Sequence, residues 1–218
     1  MPKHEKLTGP SAEAILDNLS PFQVVASDSP QARQVFNLIG SAPTVNHTEL
    51  VPPFIDYAQN TPQLWRHVPD DLIRQYLRNR FFMETRNLEK EAILAIERTN
   101  EDYLSAPTDL IVNVAGFRSW EGRNPIFGKS WQSDYGHGKM SSLNVIKHYA
   151  ALPSELPPVS LLRMFVEPSG RIFFDNAGGD SHRIAAAILR GDSSVRAEEI
   201  DVYKVGKNYL EETLATRQ

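Results

Sequence analysis

Apolar residues recur at three- and four-residue steps through the first half of the chain, and gather into short unbroken runs in the second half. The first spacing is that of one helix face, the second that of buried strands. Ser11 to Leu19 reads as a helix with Ala14, Ile15 and Leu19 on one face, followed by Pro21 and a short strand over residues 22–26. Ser29-Pro30 starts a helix that contains Val35, Phe36, Leu38 and Ile39 and has Gly40 as its stop. Residues 41–69 carry five prolines and predict an irregular connection with at most one helical turn around Phe54 to Ala58. The longest helical pattern runs from Pro69 to about Leu104, first through Leu72, Ile73, Tyr76, Leu77 and Phe81, then through Leu88, Ala92, Ala95 and Ile96, with a break at Thr85-Arg86-Asn87. Arg74, Arg78, Arg80 and Arg86 read as its solvated face.

Beyond Ser105-Ala106-Pro107 the periodicity changes. Asp109 to Ala115 and Val159 to Val166 are strand-like runs, and Glu167-Pro168-Ser169-Gly170 turns the second into a hairpin with Arg171 to Phe174. A helix is expected over residues 142–151, a strand over residues 200–205 and a short helix over residues 207–216. The fold class is therefore α/β (α+β), with a mainly helical region over residues 1–105 and a mixed-sheet domain over residues 106–218.

Most of the candidate chemistry lies in one stretch. Asn176-Ala177-Gly178-Gly179-Asp180-Ser181-His182-Arg183 joins the hairpin to an Ala-rich helix that Gly191 stops. Asp180 or Ser181 can cap that helix through a side-chain oxygen. His182 and Arg183 then oppose the helix dipole, an arrangement that suits an anion held jointly by the guanidinium and the free N–H groups. The same residues also fit an ordinary strand–turn–helix joint. Asp180 and Glu167 are candidate carboxylates for holding Mg²⁺ or accepting a proton, although Asp180 also fits a plain N-cap, and Asp175 reads as a turn residue. Residues 116–139 form a long Gly- and aromatic-rich segment in which His137 and Lys139 could reach a phosphate. Arg118, Arg123 and Lys129 among its aromatics fit either a base clamp or a lid on the core.

The motif Gly178-Gly179-Asp180-Ser181-His182-Arg183-Ile184-Ala185-Ala186 resembles the signature of the ParB/sulfiredoxin superfamily. Leu156-Pro157-Pro158-Val159, the turn Gly170-Arg171-Ile172, and the final strand through Val205 are similar in order. The resemblance implies a nucleotide pocket for ATP or another nucleoside triphosphate with Mg²⁺. Gly178, Gly179, Ser181 and Arg183 would hold phosphate with His182 beside them; next to such a phosphate, the residues' own chemistry makes Asp180 the candidate metal ligand and Asp180, His182 and Glu167 the candidate catalytic groups. Sulfiredoxin chemistry is excluded because the chain has no cysteine. No segment after Val205 is long enough for the helix-turn-helix of partition proteins.

Charge narrows the classes. Residues 1–105 hold 10 Lys/Arg against 14 Asp/Glu, and residues 106–218 hold 13 of each, so the candidate half has no general pull on nucleic acid. The expected function is an ATP-dependent phosphotransferase or nucleotide hydrolase acting on an unidentified acceptor. The alternatives are a ParB-like nuclease or DNA-associated protein of a mobile element, and a nucleotide-sensing or partner-binding module without turnover. With no apolar run of membrane-spanning length and no signal-peptide core, no membrane partner is expected and the cytoplasm is the default location.

Overall fold

The computed structural model describes residues 12–19, 21–45, 52–99, 102–115, 142–176 and 179–216. Its centre is a seven-stranded mixed sheet in the order β1-β2-β7-β5-β6-β4, with β3 also paired to β7. The strands are β1 (Gln23–Ala26), β2 (Lys90–Glu97), β3 (Leu104–Pro107), β4 (Ile111–Val114), β5 (Val159–Val166), β6 (Ile172–Asn176) and β7 (Ser194–Val205). The described helices are α1 (Ala12–Asp17), α2 (Pro30–Ser41), α3 (Pro53–Asn60), α4 (Asp70–Arg80), α5 (Ser142–Ala150), α6 (Ser181–Arg190) and α7 (Tyr209–Ala215). Single 3₁₀ segments cover Pro62–His67 and Thr108–Leu110.

β7 organises the sheet. Its first half pairs antiparallel with β3, its second half antiparallel with β2, and its other edge runs parallel to β5. β5 and β6 form the expected hairpin, with Gly170 at φ 82° completing the turn. That conformation is one a glycine adopts without steric cost.

The second part of the long helix expected over residues 69–104 is instead strand β2. Ile93, Leu94, Ala95 and Ile96 form a fully buried run between β1 and β7. A short continuous apolar run has no period of its own, so pairing on both edges decided its conformation. The division expected between residues 105 and 106 falls inside β3, and the sheet takes strands from both sides of it. Nor does Gly40 end α2, which continues to Ser41. At its start Ser29 accepts the Ala32 N–H at 3.1 Å, with Pro30 in the first turn, where its missing N–H costs nothing. Arg80 is not a solvated residue either: Nη2 donates to Thr108 O at 3.0 Å, and the side chain is largely buried against Asp109.

α6 is apolar on nearly every side. Ile184, Ala185, Ala186, Ala187, Ile188 and Leu189 are all buried, because the helix lies between the sheet and a layer made by α3, α4 and α5. A helix that is apolar all round belongs in a core, and the alanines allow close approach. Gly191 closes it in the left-handed conformation at φ 74°, with the Asp192 N–H bonded back to Ala187 O at 3.0 Å.

Candidate functional site

The end of β6 and the start of α6 are tied together by side chains. Asn176 Nδ2 donates to Leu161 O at 2.9 Å. Ser181 Oγ lies 2.8 Å from Ala115 O and 3.2 Å from Asn176 Oδ1, and donates between them. Ser181 therefore fastens the helix start to the end of β4. His182 is buried. At Gly179 a Cβ would meet nothing within 4 Å, so the backbone there faces open space. Gly178 lies outside the described residues, as do His137, Lys139 and the basic and aromatic side chains of residues 116–139.

Asp180 occupies the N-cap position, but its side chain makes no cap hydrogen bond. Oδ2 accepts from Ser160 N–H at 2.6 Å and Ser160 Oγ at 2.8 Å, while Oδ1 accepts from Arg183 Nη2. The carboxylate is turned away from the first-turn N–H groups and locks the start of β5 to α6. Three protein donors, one of them the Arg183 guanidinium, leave this carboxylate one acceptor site beside a fixed positive charge, a poor fit for a metal ligand. Among the described residues no group of three or more His, Asp or Glu could hold a metal ion.

Arg183 reaches sideways, out of the helix start. Nη1 donates to Pro158 O and Nη2 to Asp180. It lines a cleft of about 270 Å³ between α6, the start of β7 and the segment Glu155 to Val159. Arg190 and Arg196 line the same cleft. Each of the three guanidiniums donates to a carbonyl of one extended strap: Arg190 to Ser154 at 2.9 Å, Arg196 to Leu156 at 2.8 Å, and Arg183 to Pro158. The carbonyls are two residues apart, so those of one edge of the strap meet the three arginines in turn. Each arginine also has an acidic partner: Asp192 at 3.2 Å from Arg190, Glu155 at 2.9 Å from Arg196, and Asp180 beside Arg183. Burial pushes the Asp192 carboxyl up, and the Arg190 charge opposes the shift.

Glu167 does not belong to this site. It lies at the other end of β5 from Ser160, about 23 Å away at ~3.3 Å per residue. Its carboxylate is buried and accepts from Leu210 N–H at 2.5 Å and Ser169 Oγ at 3.4 Å, so it anchors α7 to the hairpin turn. Burial raises its pKa, and the Leu210 N–H opposes the rise.

The opposite face of the sheet carries a polar network that sequence reasoning missed. Asp175 is fully buried inside β6 and is not a turn residue. Arg163 grips it with two bonds, Nε to Oδ1 at 2.7 Å and Nη2 to Oδ2 at 2.5 Å, while Thr85 Oγ1 also donates to Oδ2 and Asn113 Nδ2 donates to Thr85 Oγ1 at 2.9 Å. A signal for the pair was present, since the hairpin about Pro168-Ser169 sets Arg163 directly opposite Asp175. One row further along, Phe173, Phe165 and Tyr203 stack across three strands, with Lys90 Nζ 5.5 Å from the Phe165 centroid and 5.4 Å from that of Tyr203. Burial lowers the Lys90 pKa, the Arg163 charge lowers it further, and Asp175 opposes both.

No family model, curated protein or solved structure matches the chain. Among the described residues no helix is long and apolar enough to cross a membrane.

Proposed function

We propose that the protein binds the phosphates of a nucleoside di- or triphosphate in the cleft along α6, with Arg183 as the principal contact. The observation that carries this reading is the convergence of Arg183, Arg190 and Arg196 on one cleft that runs along α6 from Arg183 to the C-terminal end of the helix. Three forked donors suit the oxygens of a phosphate chain. The resemblance of residues 178–186 to the ParB/sulfiredoxin signature supports the same ligand class. A bound phosphate competes with single neutral carbonyls and single carboxylates for these guanidiniums, and its greater charge favours the exchange.

The geometry favours binding without turnover. Asp180 is committed to Ser160 and Arg183, and Glu167 caps a distant helix. A nucleotide-sensing module fits these commitments better than a phosphotransferase that needs either carboxylate. Calorimetric titration with ATP, CTP, GTP and ADP, with and without Mg²⁺, tests the proposal. Arg183→Ala should weaken binding by about 1.5–3 kcal/mol with Arg183→Lys restoring only part of it, because an ammonium lacks the planar fork. No heat and no thermal shift with any of the four at millimolar concentration would overturn it.

A further inference from the structure

A second cavity lies at the C-terminal ends of β1 and β2, between Ser27-Asp28, the last turns of α2, Thr99 and the stretch from Asp102 into β3. Its volume is about 550 Å³, and it shares no lining residue with the arginine cleft. Pockets for small molecules run from roughly 300 to 1,000 Å³, with mainly apolar walls and a few placed polar groups. Here Phe36, Ile39, Leu104 and Pro107 supply apolar wall. Ser27 and Thr99 supply hydroxyls 2.7 Å apart. Ser27 Oγ also accepts the Thr99 N–H at 3.0 Å. Whichever hydroxyl donates to the other, the pair keeps one O–H proton to offer a ligand.

Gly40 is the second observation. It lies in the last turn of α2 with an ordinary helical backbone, since only Gly170 and Gly191 of the described glycines have positive φ. Glycine is a poor helix former, so nothing in the backbone favours it there. Crowding does not require it either, because a Cβ at this position would meet nothing within 4 Å. Gly40 lines the pocket, so a side chain at this position would stand at its wall.

Charge then narrows the ligand. Among the described residues the lining holds two carboxylates, Asp28 and Asp102, and no basic side chain. The guanidiniums of Arg98 and Arg196 stack on the Tyr103 ring, 4.5 and 5.3 Å from its centroid, and neither lines the pocket. We infer that this pocket is a ligand site for a small apolar amine, with its hydrocarbon or aromatic body between α2 and β3 and its ammonium at Asp28 and Asp102.

The probes are 2-phenylethylamine, its neutral isostere 2-phenylethanol, and the acid 3-phenylpropanoate. Titration of the ¹⁵N-labelled full chain, followed by amide shifts, should show the amine binding best, the alcohol weaker and the acid weakest. Asp28→Asn with Asp102→Asn should weaken the amine by about two- to fivefold, within the range for exposed charge pairs, and leave the alcohol unchanged. Gly40→Leu should fill the pocket and weaken both by at least about tenfold, while raising the melting temperature of the free protein because leucine is the better helix former. That opposite movement of stability and binding separates a filled site from a damaged fold. No binding of any probe at millimolar concentration, equal binding of all three, or wild-type affinity in Gly40→Leu would each overturn the inference.

Discussion

Asp180→Ala is the substitution on which the cap, latch and metal readings of this residue diverge most. The carboxylate accepts two hydrogen bonds from Ser160 and one from Arg183, and its side chain is only 11% exposed. Hydrogen bonds to a charged group contribute about 1.5–3 kcal/mol each when buried. Ser160 is exposed, and the three bonds share one acceptor, so their contributions do not add. A loss of about 2–3 kcal/mol is expected, above the ~1 kcal/mol typical of an N-cap. For a chain of this size that corresponds to a fall of about 4–12 °C in melting temperature. Nucleotide affinity should move the other way. Without Asp180, Arg183 loses its competing anion and the phosphates lose a nearby negative charge, so binding should tighten severalfold. Asp180→Asn keeps an acceptor for the Ser160 N–H and should lose less stability while showing the same gain in affinity. Urea unfolding read by circular dichroism, together with calorimetry, measures both quantities. A stability loss under about 0.5 kcal/mol would refute the latch. Loss of a Mg²⁺-dependent part of the affinity would instead make Asp180 a metal ligand.

The other expectations concern the scaffold. Asp175→Ala should cost about 3–5 kcal/mol by urea unfolding, since it strands the Arg163 guanidinium, and replacing Arg163 and Asp175 together with apolar residues should recover much of that. Gly191→Ala should cost about 1–2 kcal/mol, because its left-handed φ of 74° strains an L-residue and the new Cβ would stand 3.3 Å from Gln59 Nε2, which donates to Leu189 O. Glu167, Asp192 and Glu199 all have raised folded-state pKa values, mainly through burial, so the native state binds more protons than the unfolded state just above their ordinary values. Their combined effect is to lower stability as pH rises through that window, and Glu167→Gln should flatten the part of the slope that starts near the ordinary value of 4.5, as measured by denaturant midpoint against pH.

Local signals in the chain were enough wherever a segment's structure rests on its own residues. Ser29-Pro30 starts α2 through a cap and a fixed φ, Gly191 ends α6 through its left-handed freedom, and the Pro168-Ser169 turn sets the register of β5 on β6. The α/β class and the strand–loop–helix frame around Arg183 follow from the same kind of information. Elsewhere the outcome depended on partners distant in sequence. Ile93 to Ile96 became strand because β1 and β7 flank them, and no periodicity within four apolar residues records that. The first half of β7 was not legible for the same reason, since its pairing partner β3 is almost ninety residues away. The site shows the distinction most clearly. That Asp180 and Arg183 stand one turn apart on a helix is written in the spacing. Ser160 draws the carboxylate away from the cap, and Pro158, Leu156 and Ser154 offer three carbonyls to three arginines, only because β5 packs beside α6. A side chain's chemistry is local, but what it is paired with is a property of the packed chain, and pairing is what turns a candidate cap into a latch.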